Sequence, residues 1–465
     1  MSGGGITWFE PFTAAGAWRV PEHPDRRVGG TVTFDPVGGI HLEVVGPLLP
    51  TPPNALMCFP GRQPVVYGDT PEPGAITLIN VDSREIDSGL RTVGSELCRY
   101  TAQVLVTDAW LPPSGLAEIT EVRAAIYPLD DAFSEPWSTL RNETLKDVGA
   151  RRRTCCEAAT PFGKLLVESG IASHRGRRLV LEPRAVFTMR PDLPKSLAWF
   201  EETLWDLRLF LNLVACEATH LSSLVAVLPG TNDKSGREPA VNVFRPVGVP
   251  LNAAPGSARD ALLGVLDRHG RLREAIERWF GLPNDLKSVA ALLTGGWYRD
   301  APVEDLFLSL TQAAEGCHRI DFPEEGNFVP PIEYEPVRQA LVDAIPTGTP
   351  HDLREALIQR LGFGNERSLR ARLRDLVRRI LIADDRVRTG ITEDGWVSAV
   401  VSHRNALTHL SPGGERPPAS SLLTESRQLA LLLHLALLRD LGISFGEAAE
   451  NLSFRRQHFG ALLPR

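Results

Sequence analysis

The chain has few cysteines, few lysines and no long apolar run. Its six cysteines include no Cys-x-x-Cys pair and no suitably spaced histidine, so we expect no structural zinc site. The adjacent Cys155 and Cys156 are read as two thiols in a strand of a reduced protein rather than as a redox pair. No run of about 18 apolar residues exists, and the first residues lack the pattern of a signal peptide. The sequence therefore predicts a cytoplasmic protein without a membrane span.

The charge balance limits the class of binding partner. A net charge of −7 argues against a general nucleic-acid coat protein but leaves a local basic groove open. Lysine is rare among the 50 basic residues, and this arginine excess fits a GC-rich genome as well as it fits phosphate recognition. The length of 465 residues predicts two or three domains.

The first part of the chain has the pattern of a β domain. Residues 29–45 alternate apolar and polar side chains around a Pro-Val-Gly-Gly turn, which predicts a hairpin. Further strands are predicted at 75–81, 100–107, 116–126 and 179–189, and a helix at 193–218. We expect residues 1–228 to form a sandwich or barrel with this helix packed on it.

The second part has helical periodicity almost throughout. Residues 229–295 are predicted to be a connector and helical linker, with one short strand near 241–244. Residues 296–465 are predicted to form a helical bundle. The predicted helices are 258–280, 285–293, 302–318, 336–344, 352–361, 366–382, 395–410 and 422–441. The expected fold class is α+β multidomain, with an N-terminal all-β domain followed by a C-terminal all-α helical bundle.

One stretch near the end of the chain concentrates polar residues of catalytic type. It reads Ser-His-Arg-Asn-Ala-Leu-Thr-His-Leu from residue 402, followed by Ser-Pro-Gly-Gly, which ends a helix. Asn405 and His409 are four residues apart and share one helix face, and Arg404 lies on the flank of that face. The Arg-x4-His spacing alone is expected by chance about once in a chain of this composition, and the adjoining asparagine makes the match rarer.

An arginine, an amide and an imidazole suit the cleavage of RNA without a metal. Histidine can act as the base for the 2′-hydroxyl nucleophile or as the acid for the leaving 5′-oxygen. An arginine fork neutralises the charge that builds on the phosphate. Asn405 could hold the imidazole or donate to the phosphate. The alternative is a polar helix end at which Arg404 and His409 only cap carbonyl groups.

A second group of arginines precedes this stretch. Arg367, Arg370, Arg374 and Arg378 have helical spacing on one face and are candidates for binding RNA phosphates. The alternative is a solvated helix face, with Glu366 and Asp375 as ion-pair partners.

Arg404, Asn405 and His409, within a C-terminal helical bundle, resemble the Arg-Asn-x-x-x-His motif of the HEPN superfamily. The rest of the chain resembles one branch of it, the ApeA-like anti-phage proteins, in which the HEPN domain follows an N-terminal β domain. The matching stretches are GAWRVP at 16–21, VGGTVTFD at 28–35, CFPG at 58–61, ITL at 76–78, WF at 279–280 and VEDLFLSLTQAAEGCHR at 303–319.

The resemblance implies an endoribonuclease of an abortive-infection system that cleaves tRNA or other cellular RNA. It implies no metal or nucleotide cofactor, and a homodimer or higher homo-oligomer in which two RNALTH segments line one cleft. It adds Glu315 as a candidate for the same cleft, although an exposed helix glutamate explains this residue equally well. An alternative function is a non-catalytic RNA- or nucleotide-binding dimerisation module. In either case we expect the β domain to be a sensor, for example of a phage protein.

Overall fold

A computed structural model describes residues 10–49, 62–87, 97–112, 114, 116–129, 132–133, 152–175, 179–230, 239–246, 262–298, 301–409, 416–444 and 446–448. The chain divides into two compact units, 1–281 and 282–465, called here the first and second units. The CFPG stretch at 58–61 and the SPGG stretch at 411–414 lie outside the described residues. Within the described part, no helix is long and apolar enough to cross a membrane.

The described part of the first unit contains twelve antiparallel strands. They are β1 (Phe12–Arg19), β2 (Val28–Asp35), β3 (Gly39–Val45), β4 (Gln63–Asp69), β5 (Ala75–Asp87), β6 (Leu97–Thr107), β7 (Glu121–Tyr127), β8 (Arg152–Thr160), β9 (Gly163–Arg175), β10 (Leu179–Pro191), β11 (His220–Val227) and β12 (Ala240–Phe244).

The first six strands close into a barrel. Their order is β3-β2-β1-β4-β5-β6, and β6 returns to pair with β3 from Leu42↔Tyr100 to Val45↔Leu97. Inward-facing side chains such as Trp18 and Phe34 are fully buried. A Cβ atom on Gly68 would lie 2.5 Å from the Trp18 ring, so glycine at this position makes room for the indole. The predicted barrel-like N-terminal domain is confirmed.

The remaining strands form a second sheet that shares β6 with the barrel. The order continues β6-β12-β11-β7-β10-β9-β8. The far end of β6 pairs with β12 through Thr107↔Asn242 and Leu105↔Phe244. Residues 241–244 were predicted as a short strand in a connector. They instead lie inside the sheet, because Val241 and Val243 are buried between β6 and β11.

The described part of the first unit also contains three helices: α1 (Leu197–Ala215), α2 (Leu262–Arg268) and α3 (Leu272–Gly281). Ser196 caps α1 by accepting a hydrogen bond from the Trp199 amide, which fixes where the helix begins. The single helix predicted at 258–280 is two helices. Gly270 separates them with a φ of +69°, a conformation that interrupts a right-handed helix.

The described part of the second unit is helical, as predicted. Its helices are α4 (Asn284–Gly295), α5 (Val303–Asp321), α6 (Pro331–Asp343), α7 (His351–Gly362), α8 (Leu369–Ile380), α9 (Ala383–Thr389), α10 (Gly395–His409) and α11 (Ala419–Asp440). Helix α5 is central and packs against α4, α8, α10 and α11. Phe307, Leu310 and Cys317 on α5 are fully buried and fill the middle of this bundle.

Helices α6 and α7 form a hairpin that lies apart from the bundle core. All residues of both helices are described, and none is buried. Helix α6 begins at Pro331 rather than at the predicted 336, because proline is well accommodated in the first turn of a helix. The hairpin therefore lies between α5 and α8 in the chain and contributes no buried residue to the bundle core.

Candidate active site

Helix α10 carries the Arg-Asn-x-x-x-His stretch and is anchored through its first half. Trp396, Val397 and Val400 are buried, and the Thr392 hydroxyl accepts a hydrogen bond from the Trp396 amide at 3.1 Å. The second half carries no buried residue up to His409, where the helix ends. The polar groups thus project from a helix whose start is fixed by packing.

Arg404, Asn405 and His409 lie in the last two turns of α10, as the sequence predicts. Arg404 is partly exposed, and Asn405 and His409 are exposed. The Arg404 Nη1 donates to Asn405 Oδ1 at 3.3 Å, which leaves the other guanidinium N–H groups and the amide NH₂ for a ligand. Among the described residues, these three side chains form no ion pair with a carboxylate. They could therefore offer donors to a phosphate without first breaking a salt bridge.

The residue before Arg404 makes a contact that was not predicted from the sequence. His403 Nδ1 lies 2.8 Å from Glu425 Oε2 on α11, and the Glu425 side chain is only 9% exposed. This contact ties the second half of α10 to α11 and fixes its rotation. The only sequence signal was a second histidine inside the motif, because its partner is 22 residues away in another helix.

The α8 arginines lie beside α10 but are largely paired with acids. Arg370 Nη1 donates to Ser398 Oγ at 2.9 Å, and Arg374 Nη2 donates to Asp394 Oδ1 at 2.9 Å. Since Arg374 bonds four residues earlier on the partner, the two helices run antiparallel. This register places Arg370, at the start of α8, beside Ser398 in the first half of α10.

The other two candidate arginines are also ion-paired. Arg378 pairs with Glu393 at 2.5 Å, and Arg367 pairs with Asp375. The helix was predicted to begin at residue 366, but Arg367 lies before its observed start. Ser368 caps α8 by accepting from the Ala371 amide, so the helix begins at Leu369. Arg370, Arg374 and Arg378 keep the predicted helical spacing, and Arg367 precedes it.

Glu315 on α5 is paired with arginine. Its Oε1 accepts from Arg319 Nη2 at 2.9 Å, and Arg319 also donates to Glu366 at 3.2 Å. Glu366 immediately precedes α8, whose start lies alongside the first half of α10. Among the described residues, the structure records no direct contact between Glu315 and Arg404, Asn405 or His409.

A buried histidine lies behind this surface. His318 Nδ1 lies 3.3 Å from Arg372 Nη1, and its Nε2 lies 3.2 Å from Asp375 Oδ2. Arginine can only donate, so Nδ1 accepts, and Nε2 carries the proton that it donates to Asp375. Burial lowers the pKa of His318. The ring is therefore neutral, and it connects α5 to α8.

His318, Glu325 and Asp375 are the one group among the described residues whose spacing could hold a metal ion. Both carboxylates already pair with arginine, Asp375 with Arg367 and Glu325 with Arg379. A divalent cation there would face guanidinium groups at close range, which is electrostatically unfavourable. We interpret the cluster as structural.

Two family models match the chain. Residues 13–151 match the model described as ApeA N-terminal domain 1, and residues 308–446 match the model described as Apea-like HEPN. The chain is an ApeA-like protein with a C-terminal HEPN domain. The HEPN match begins within α5 and ends after α11, so it includes α8, α10 and the His403–Glu425 contact. The predicted family and fold class are confirmed.

These families support a nuclease role in antiviral defence. Searches of curated proteins and of solved structures found no significant match.

Proposed function

We propose that this HEPN protein is a metal-independent endoribonuclease of an anti-phage abortive-infection system, which cleaves tRNA or another cellular RNA. The observation that carries the proposal is the grouping of Arg404, Asn405 and His409 on the exposed end of α10. A guanidinium and an imidazole within two helical turns can supply charge stabilisation and one proton-transfer group for phosphodiester cleavage by an internal 2′-hydroxyl, and the amide can position them.

In the proposed reaction the imidazole of His409 transfers the proton. As base it removes the proton of the 2′-hydroxyl, whose oxygen attacks the adjacent phosphorus. The P–O5′ bond then breaks, and an acid returns a proton to the leaving 5′-oxygen, leaving a 2′,3′-cyclic phosphate. Arg404 neutralises the charge that builds on the non-bridging oxygens. Asn405, hydrogen-bonded to Arg404, orients the guanidinium or donates to the phosphate.

A dimer would supply the second proton-transfer group. One α10 presents one exposed histidine of the motif, because His403 is engaged with Glu425. Two copies of α10 across a two-fold axis would offer a base from one chain and an acid from the other. We propose that Arg367, just before α8, and Arg370, Arg374 and Arg378 on α8 flank this cleft and bind neighbouring phosphates in place of their present partners. Glu315 would then act only indirectly, through Arg319.

The experiment follows RNA ends in cells that carry the protein and are infected with phage. We expect new ends that bear a 2′,3′-cyclic phosphate or 3′-phosphate. The purified protein should cut the same sites in EDTA. His409→Ala should lower the cleavage rate by at least about 10³-fold. His269→Ala is the matched control, because that histidine is exposed in the turn between α2 and α3 of the first unit. New 3′-hydroxyl ends instead would point to metal-assisted hydrolysis and contradict the proposal.

We further propose that the first unit regulates the nuclease, with a phage protein as the trigger. A barrel and a second sheet fill this unit, and among its described residues we find no constellation of catalytic type. Residues 282–465, expressed alone, should be toxic, and His409→Ala should remove the toxicity. A folded, harmless 282–465 fragment would instead mean that the first unit is needed to build the active state.

A further inference from the structure

The α6–α7 hairpin exposes an unusual amount of apolar surface. Half of the large apolar side chains that are exposed in the described part of the chain lie between residues 328 and 363. They are Phe328, Val329, Ile332, Val337, Leu341, Leu353 and Phe363. On α6 the exposed residues Val337, Ala340, Leu341 and Ala344 follow the spacing i, i+3, i+4 and i+7. That is the pattern of a helix face that packs against a partner.

The base of the hairpin is firmly held. Asn365 is buried, its Nδ2 donates to the Val329 carbonyl at 2.7 Å, and its Oδ1 accepts from the Val329 amide at 3.1 Å. Within the hairpin, the Tyr334 hydroxyl donates to the Leu361 carbonyl at 2.6 Å. Because these bonds fix both the base and the two helices, the apolar stripe is presented in a defined position.

The exposed surface has the size of a protein interface. The exposed fractions of the seven residues add up to roughly 700 Å² on each chain, which is close to the roughly 800 Å² that each partner buries in a standard stable interface. One hairpin with no buried residue has no core of its own, but two hairpins of 13- and 12-residue helices have the parts of a four-helix bundle.

The charges favour a protein partner and, in particular, a second copy. Helix α7 carries Asp352, Arg354 and Glu355 near its start, with a net negative charge, and Arg360 near its end. An antiparallel contact of α7 with its own copy would therefore bring the acidic start of one helix near the basic end of the other. Since both signs occur on the hairpin, it lacks the uniformly basic face that RNA or an anionic membrane requires.

We propose that the α6–α7 hairpin is a homodimerisation surface on which the same hairpin of a second copy packs. This surface is distinct from the α10 surface, and its use does not depend on the nuclease reaction. The proposal concerns association alone, so a failure of RNA cleavage would leave it intact. A strictly monomeric protein would overturn both this contact and the proposed α10 dimer, whereas a dimer that the stripe variant does not weaken would overturn this contact alone.

The test uses the full chain with two matched double variants. Val337→Glu with Leu341→Glu changes two exposed positions of the stripe (52% and 46% exposed). Leu193→Glu with Ile382→Glu makes similar changes at two exposed positions elsewhere (69% and 67%). Sedimentation velocity over a concentration series gives the dimer dissociation constant, and thermal unfolding checks that every variant folds. Hydrogen exchange at 331–362 is followed over the same concentrations.

We expect the wild type to dimerise at micromolar concentration, with slower exchange at 331–362 as the dimer forms. The stripe variant should raise the dissociation constant by at least about 100-fold, whereas the control variant should leave it within about threefold. A wild type that stays monomeric overturns the proposal. So does a dimer that the stripe variant does not weaken, or a hairpin protected at every concentration, which would mean that another part of the same chain covers it.

Discussion

Helices α8 and α10 lie side by side, and both carry polar groups that suit a phosphate. They differ in whether those groups already have a carboxylate partner. On α8, Arg374 and Arg378 are already paired with Asp394 and Glu393. On the second half of α10, the Arg404 side chain bonds only to Asn405 among the described residues. The difference teaches that residue type alone does not define a site. A cation that already has a carboxylate partner must give it up before it can bind a phosphate.

The largest expected effect is a loss of RNA cleavage, which should differ between matched arginine substitutions on these two helices. Arg404→Ala should lower RNA cleavage by about 10³-fold or more, because the guanidinium is proposed to neutralise charge that develops only in the transition state. Arg374→Ala should lower it by less than about tenfold. Single-turnover cleavage at saturating RNA measures both. Equal losses would mean that α8 takes part in the chemistry and would remove the distinction.

The next largest effect should be a loss of stability and of cleavage when the His403–Glu425 contact, which holds α10 in position, is removed. Glu425→Ala leaves His403 without its partner, so the free energy of unfolding should fall by about 1–3 kcal/mol. Cleavage per folded molecule should fall by about tenfold, because α10 is less well oriented. Glu425→Gln, which keeps a hydrogen-bond acceptor, should restore most of both. Denaturant unfolding and cleavage assays on the three proteins test this. An inactive but fully stable Glu425→Ala protein would point to a direct catalytic role instead.

Sequence alone predicted the features that depend on neighbouring residues. The 29–45 hairpin was found because its alternation and its turn are local, and Arg404, Asn405 and His409 because they lie within six residues. The pairing of β6 with both β3 and β12 was not predicted, since both strands lie far from β6 along the chain. The partners Glu425 for His403 and Asp394 for Arg374 were missed for the same reason. Local pattern indicates which groups are present, and tertiary contacts decide which remain available.

The contact of His318 with the buried side of α8 should have a smaller effect, which is a dependence of stability on pH. Because burial lowers the pKa of His318, the unfolded chain binds a proton below about pH 6.5 that the folded unit resists. The stability of the second unit should therefore be highest above pH 6.5 and fall as the pH is lowered. One proton can contribute at most about 2 kcal/mol between pH 6.5 and 5. His318→Gln should flatten this dependence in denaturant unfolding at each pH. If the stability of His318→Gln depends on pH as steeply as that of the wild type, another group causes the dependence.

The smallest effect distinguishes the arginines of α8 from one another. Arg370 bonds to the Ser398 hydroxyl, whereas Arg378 pairs with Glu393. Arg370→Ala should therefore weaken RNA binding by about two- to fivefold and reduce the salt slope by about 1, and Arg378→Ala should have a smaller effect. Binding of labelled RNA to His409→Ala protein at several salt concentrations measures both without cleavage. Equal losses would mean that the carboxylate partner does not matter.

The shared strand β6 has a consequence for the order of events at the ribosome. The edge of β6 that pairs with β12 has no partner until Phe244 is synthesised, so the two sheets cannot both be complete before that point. The 165 residues from Phe244 to His409 (409 minus 244) then take roughly 10–30 s at about 5–20 residues per second. All described strands of the first unit are therefore synthesised before the end of α10. Translation delivers the domain proposed to regulate the nuclease before it delivers the proposed catalytic histidine.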